Sequence, residues 1–195
     1  MDGKELLGSG KLPTDFERWI KARLEERSDL SLEGIWTRCA EGRWLLWLAT
    51  WAGVDRRRIT AAVCAAVEPA IIKTHGDVRP GKAIKTVRRW MFGAASIDDV
   101  RAATLEAEAA ERAAEKLLFD NRYSRCVEHY ESKQNAAIAV SSVTRLVTAQ
   151  DRRDAADCAG AAALYAERAL RRFHTVHVVH DWITLQDVAA AFGNR

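Results

Sequence analysis

Prolines are scarce in this chain, three in 195 residues, at positions 13, 69 and 80. Long stretches are therefore free to form helix, because proline breaks or kinks a helix wherever it falls beyond the first turn. Long apolar runs are missing too. The longest, around Trp44 to Gly53, is interrupted by Thr50 and falls short of the roughly 18–20 residues that a membrane span needs. The opening Met1-Asp-Gly-Lys-Glu5 has neither the basic nor the apolar segment of a secretory signal, so a cytoplasmic location is expected. Cys39, Cys64, Cys126 and Cys158 include no pair at metal-ligand spacing, and free, mostly buried thiols are expected rather than disulfides. The net charge is only +3, and the arginine pairs and one triplet are mixed with acids instead of forming a basic arm. That pattern argues against nucleic-acid binding. A glycine-rich phosphate loop, a G-x-S-x-G elbow and an H-E-x-x-H helix are all absent.

What the chain does have is alanine at helical spacing. Ile97, Val100, Ala103, Ala107, Ala110, Ala114 and Leu117 step by threes and fours, with glutamates and arginines between them. Capping boxes are read at Thr14–Glu17 and Ser96–Asp99, further caps at Ser31 and Asp55, and helix starts near Asp151 and at Thr184. Pro69 is expected to end or kink one helix and Pro80 to open the next within its first turn. Between Asp120 and Gln150 the pattern is less decisive. Val140, Val143 and Val147 favour strand, whereas Ala136, Ala137 and Ala139 favour helix, and helix is the better reading. A last long helix from Asp151 carries Ala155, Cys158, Ala162, Tyr165, Ala169 and Phe173, and is expected to run on toward Val176 and His180. The resulting fold class is all-α, a bundle or stack of antiparallel hairpins with about eight to nine helices. Residues 1–12, with Gly3, Gly8 and Gly10, read as a flexible tail before a single domain over 13–195.

Four of the seven tryptophans fall between Trp36 and Trp51. Trp44, Trp47 and Trp51 recur at spacings of three and four, which makes one stripe on a helix that Gly53 closes. Such a stripe must be covered, and the apolar faces downstream supply the cover. Trp44, Trp47, Trp51, Trp90 and Pro80 are therefore read as structural.

Three constellations carry possible chemistry. His174, His177 and His180 form an H-x-x-H-x-x-H run that could hold a metal with Asp181 or His129 as a further ligand, against the plainer reading of a histidine stripe near a helix end. Cys126 and His129 form an i, i+3 pair that could set a thiol beside an imidazole, with nothing nearby to suggest an oxyanion site. Asp77-x-Arg79-Pro80 reads as the structural entry to a helix. The Arg56-Arg57-Arg58 run lies in a first helical turn, a poor place for cations, and hints at an acidic partner inside or outside the chain. Arg56 and Arg57 are thus candidate contact residues. No cofactor and no catalytic residue is assigned.

The order of signals is more specific than any one of them. Trp36…Cys39…Trp44-Leu-Leu-Trp47-Leu-Ala49 precedes an arginine-capped, alanine-rich helix containing Cys64. Arg79-Pro80-x-x-Ala83-Ile84…Trp90-x-x-Gly93 and Ser96-x-x-x-Val100-Arg101-Ala102-Ala103 follow. This series resembles the alanine-rich, immunity-protein-5-like family found beside bacterial polymorphic toxins. The resemblance covers roughly Leu32 to Leu117, and more loosely the alanine-rich helix and the Trp182-Ile183…Val188-Ala-Ala ending. It implies a non-enzymatic helical protein that protects its producer by binding a toxin, and it supplies no catalytic or cofactor residue. The segment from Tyr123 to Gln150 is less alanine-rich than the family pattern, which makes Tyr123 and Tyr130 candidate partner contacts. The alternatives are a helical scaffold or regulatory module unrelated to toxins, and a helical metal-dependent enzyme using His174, His177 and His180.

Overall fold

The computed structural model describes residues 2–9, 12–26, 30–171 and 174–193. Among these the chain is all-helical, with no strand. The described helices number eleven rather than eight or nine. One of the additional helices is α1 (Gly3–Gly8), inside the segment expected to be a tail. Asp2 and Glu5 form a reciprocal capping box there, at 2.9 and 2.8 Å. Leu6 is fully buried and the Gly3 N–H donates to the Leu30 carbonyl at 2.7 Å. The three glycines drew the tail reading, but the capping acids and Leu6 outweigh them. Gly10 lies outside the described residues.

Helix α2 (Thr14–Glu26) buries Phe16 and Ile20. Thr14 is its first helical residue and not its cap: the Glu17 N–H donates to the Pro13 carbonyl at 2.9 Å. Ser31 caps α3 (Leu32–Arg38), accepting from Gly34 at 3.1 Å. Helix α4 (Gly42–Ala52) closes at Gly53, whose φ of 94° is the left-handed geometry a helix end requires. Asp55 caps α5 (Arg56–Val67), and Pro69 falls in a 3-10 segment, Glu68–Thr74, that follows it. Asp77 caps α6 (Val78–Met91), where Pro80 is buried in the first turn. The Ser96–Asp99 capping box opens α7 (Ile97–Asp120) as the spacing predicts.

Helix α8 (Val127–Thr148) is continuous and explains why its sequence pattern is weak. It packs between α7 and α9 (Arg152–Leu170), and every residue from Ala139 to Thr144 is buried. Over that stretch the helix is covered on nearly every side, so it has no polar face and no stripe. The Ser141 and Thr144 hydroxyls are satisfied within the helix and against α7. Thr144 Oγ1 donates to the Ser141 carbonyl at 2.8 Å, and Ser141 Oγ bonds the Ile138 carbonyl and the Glu111 carboxylate. Arg145 adds ion pairs to Glu108 at 3.2 Å and Glu111 at 2.7 Å. Burial and hydroxyl satisfaction thus override the β propensity of the valines and threonines.

The last long helix does not continue to His180. Helix α9 ends at Leu170, Arg171 turns left-handed with φ 59°, and a separate α10 (Thr175–Trp182) packs on α4 and α5. Glu167 holds the start of α10, accepting from the Thr175 N–H at 2.8 Å and its hydroxyl at 2.7 Å. Phe173, expected on the α9 face, lies outside the described residues. Thr184 and Asp187 then cap α11 (Leu185–Gly193).

Alanine lines the buried face of α9 from Ala155 to Ala169, and Gly160 sits where a Cβ would come 3.2 Å from the Arg43 carbonyl. Small residues there let α9 lie close along α4. The tryptophan stripe fills this junction. Trp47 is 2 % exposed, stacks on Trp51 at 5.7 Å and donates its indole N–H to Asp157 at 2.9 Å. Trp44 is buried and stacks on Phe16 at 5.2 Å. Trp51 and Trp90 are only half-buried, so the hub is Trp44 and Trp47 with Trp51 at its margin.

Candidate partner-binding surface

The arginine triplet is resolved by the chain itself. Arg56 donates to the carbonyls of Ala149 at 2.7 Å and Val147 at 3.3 Å, which lie at the C-terminal end of α8. Those carbonyls form the negative end of a helix, so the cation that is misplaced on α5 is well placed for α8. Arg58 donates to the Trp182 carbonyl at 2.9 Å and to Asp187 at 2.6 Å. The partner hinted at by the triplet is therefore intramolecular, helix-end carbonyls for Arg56 and the Asp187 carboxylate for Arg58. Arg57 differs: it is exposed, and its guanidinium lies over the Trp90 ring at 5.8 Å.

Arg57 also borders a groove of about 390 Å³ between α5, α6 and the end of α10. Ala61, Cys64 and Ala65 of α5 give it small walls. Met91 and Phe92 end α6, and Trp182 ends α10. Phe92 is 85 % exposed and Trp182 45 % exposed, although both are large and apolar. Arg88, paired with Glu68 at 2.5 Å, completes the polar border. An apolar centre with a charged margin is the anatomy of a protein-contact surface. Burial pushes the Cys64 thiol up to about 12, which keeps it protonated near neutral pH.

A second exposed patch lies where α7 meets α8. Tyr123 is 90 % exposed and Phe119 63 %, and the Arg122 guanidinium lies over both rings, at 4.8 and 4.1 Å. Tyr130, the other tyrosine candidate, is half-buried and edge-on to His129 at 5.5 Å. The structure thus leaves Arg57 and Tyr123 exposed on different patches and uses Arg56 internally.

The histidine run is not three positions of one helix. His174 precedes α10 as its cap residue, His177 is exposed, and the His180 ring stacks on Trp36 at 5.6 Å. Among the described residues, no group of three or more His, Cys, Asp or Glu side chains is placed to hold a metal ion. Cys126 is exposed at the start of α8, and the ring of its neighbour His129 lies 4.4 Å from that of His75. Asp77 and Arg79 pair at 2.7 Å beside the α6 cap, a structural arrangement in which the Arg79 hydrogen bonds hold the Asp77 carboxyl below its usual range.

Sequence reasoning missed Phe92 and Trp182. A signal for Phe92 existed, since Gly93 marks the helix end and a residue at such an end has few neighbours to cover it. No described helix is long and apolar enough to cross a membrane. Compared with known protein families, curated proteins and solved structures, the chain matches none.

Proposed function

We propose that this protein is a non-enzymatic helical binding protein that neutralises a cognate bacterial toxin in the cytoplasm of its producer by direct binding. The observation that carries the binding part is the groove bordered by Arg57, where Phe92 and Trp182 stay exposed around small α5 side chains. Such aromatic and arginine groups dominate the energetics of protein contacts. The toxin part rests on the resemblance of residues 32–117 to immunity proteins. A slightly basic net charge, +3, disfavours a strongly basic nuclease as the partner.

Co-expression with the product of the adjacent reading frame tests the whole reading. The folded wild-type protein is expected to restore growth and the double substitution Phe92→Ala, Trp182→Ala to lose that protection while remaining folded. No rescue by the folded wild type would sink the toxin reading. The separate aromatic patch at Phe119 and Tyr123 favours a second reading, a scaffold that holds two partners at once. A scaffold would co-purify with a stable partner that is harmless on its own.

A further inference from the structure

His75 follows the 3-10 segment Glu68–Thr74, and His129 lies in the first turn of α8. The two are far apart in sequence, yet their rings meet, with centroids 4.4 Å apart and planes inclined at 33°. Both side chains are exposed. The backbone beneath them is held in place. Thr74 is buried and its hydroxyl donates to the Ile71 carbonyl at 2.8 Å. Lys133, one turn along α8 from His129, donates to the His75 carbonyl at 3.2 Å. Among the described residues neither imidazole has a hydrogen-bond partner, so the ring nitrogens stay available. Two exposed imidazoles gain little from each other and repel once protonated.

A metal ion can take one nitrogen from each ring. A histidine nitrogen binds a late first-row ion at about 2.0–2.1 Å, which places the ring centroid roughly 3.2 Å from the metal. Two such centroids lie roughly 4.5 Å apart when the nitrogens subtend a right angle, and roughly 5.2 Å apart at the tetrahedral angle. The observed 4.4 Å matches the right angle preferred by nickel(II) or copper(II) better than the tetrahedral angle of zinc(II). The direction of the nitrogens is adjustable. Each centroid sits nearly on its Cβ–Cγ bond, so rotation about χ2, a broad torsion in histidine, turns a nitrogen toward the ion and leaves the centroid separation almost unchanged.

Desolvation against its neighbours, with the charges of His129, Lys73 and Lys133, holds the His75 imidazole below its usual range and favours the neutral form that ligates. The lysines also repel a dication, but at an exposed site that repulsion is screened. Among the described residues no third His, Cys, Asp or Glu side chain is placed to join the pair. Water therefore fills the remaining positions.

We propose that His75 and His129 form a two-imidazole site for a nickel(II) or copper(II) ion, which ties the turn at His75 to the start of α8. The site is independent of the partner groove and of the toxin reading.

Nickel(II) chloride is the probe, because copper(II) would also oxidise the exposed Cys126 thiol. Untagged protein is titrated by calorimetry, and the imidazole signals are followed in ¹H–¹⁵N spectra. The His75 and His129 ring signals are expected to shift or broaden together at substoichiometric nickel, before those of His174, His177 and His180. His75→Asn, which tolerates the positive φ of 37° at that position, and His129→Gln are each expected to weaken nickel binding at least tenfold. His177→Gln is expected to leave it unchanged. The substituted rings are exposed, so the variants are expected to stay folded. No nickel binding by the folded wild type through the millimolar range would overturn the proposal. Full affinity in either His75→Asn or His129→Gln, a tenfold loss in His177→Gln, or shifts that begin at His174, His177 and His180 would overturn it as well.

Discussion

Thr175 occupies the space where a side chain on Gly42 would have to go. A Cβ built on Gly42 would lie 2.7 Å from the Thr175 carbonyl carbon and 2.8 Å from the Val176 nitrogen, closer than real Cβ contacts allow. The first turn of α4 and the first turn of α10 therefore touch backbone to backbone, and only glycine permits it. Gly42→Ala is expected to destabilise the protein by about 1–3 kcal/mol, the range for overpacking a tight interior. Gly8→Ala, where nothing lies within 4 Å, is the control and is expected to leave the denaturation midpoint nearly unchanged. Equal midpoints for Gly42→Ala and wild type would contradict the close approach.

Trp47 joins α4 to α9 through its bulk and through Asp157. Trp47→Ala is expected to cost about 3–5 kcal/mol in denaturant unfolding, as for a buried large side chain. Trp47→Phe keeps most of the ring and loses only the bond to a largely exposed carboxylate, so about 1 kcal/mol is expected. A stable Trp47→Ala protein that merely lost its partner would make the stripe a binding site instead.

Adjacent arginines are expected to behave oppositely. Arg56→Ala removes the donor to two carbonyls at the end of α8 and is expected to destabilise by roughly 1–2 kcal/mol. Arg57→Ala is expected to leave stability within about 0.5 kcal/mol. If the groove is the contact surface, the same Arg57 variant weakens binding of the captured partner. Thermal unfolding and a binding isotherm on the two variants separate the roles.

Acid is expected to loosen the C-terminal helices. Burial pushes the Asp187 carboxyl up, but hydrogen bonds from Thr184 and the Arg58 guanidinium outweigh it and hold the group below its usual range. A carboxyl whose folded value lies below its unfolded value, about 3.9, stabilises the fold fully above that value. The contribution is lost as pH falls from there through the folded value. Asp187→Asn is therefore expected to flatten the dependence of unfolding free energy on pH below about 4. An unchanged slope would mean that Asp187 is not coupled to folding.

Much of the fold was legible locally. Ser31, Asp55, Ser96 and Gly53 act as the caps their positions predict, and the stepped alanines of α7 mark its buried face because one side of that helix meets solvent. The pattern failed where one-dimensional signals vanish. The second half of helix α8 is buried on nearly every side and shows no stripe, and α1 hides a capping box among glycines. The break between α9 and α10 uses a left-handed arginine where sequence reading looks for glycine.

The sequence by itself determined an all-helical chain, the ends of most of its helices and the burial of Trp44 and Trp47. The helices and their ends depend on hydrogen bonds within a few turns, and the stripe spacing marks the face that must be covered, although the covering groups on α2 and α9 are far away in sequence. Only the tertiary structure decided what each arginine of the triplet does. It also decided that Phe92 and Trp182 share a groove, and that the rings of His75 and His129 meet. Each of these joins residues from separate elements. Their distances follow from how closely small side chains let the helices approach, a property of packed surfaces that no single helix carries.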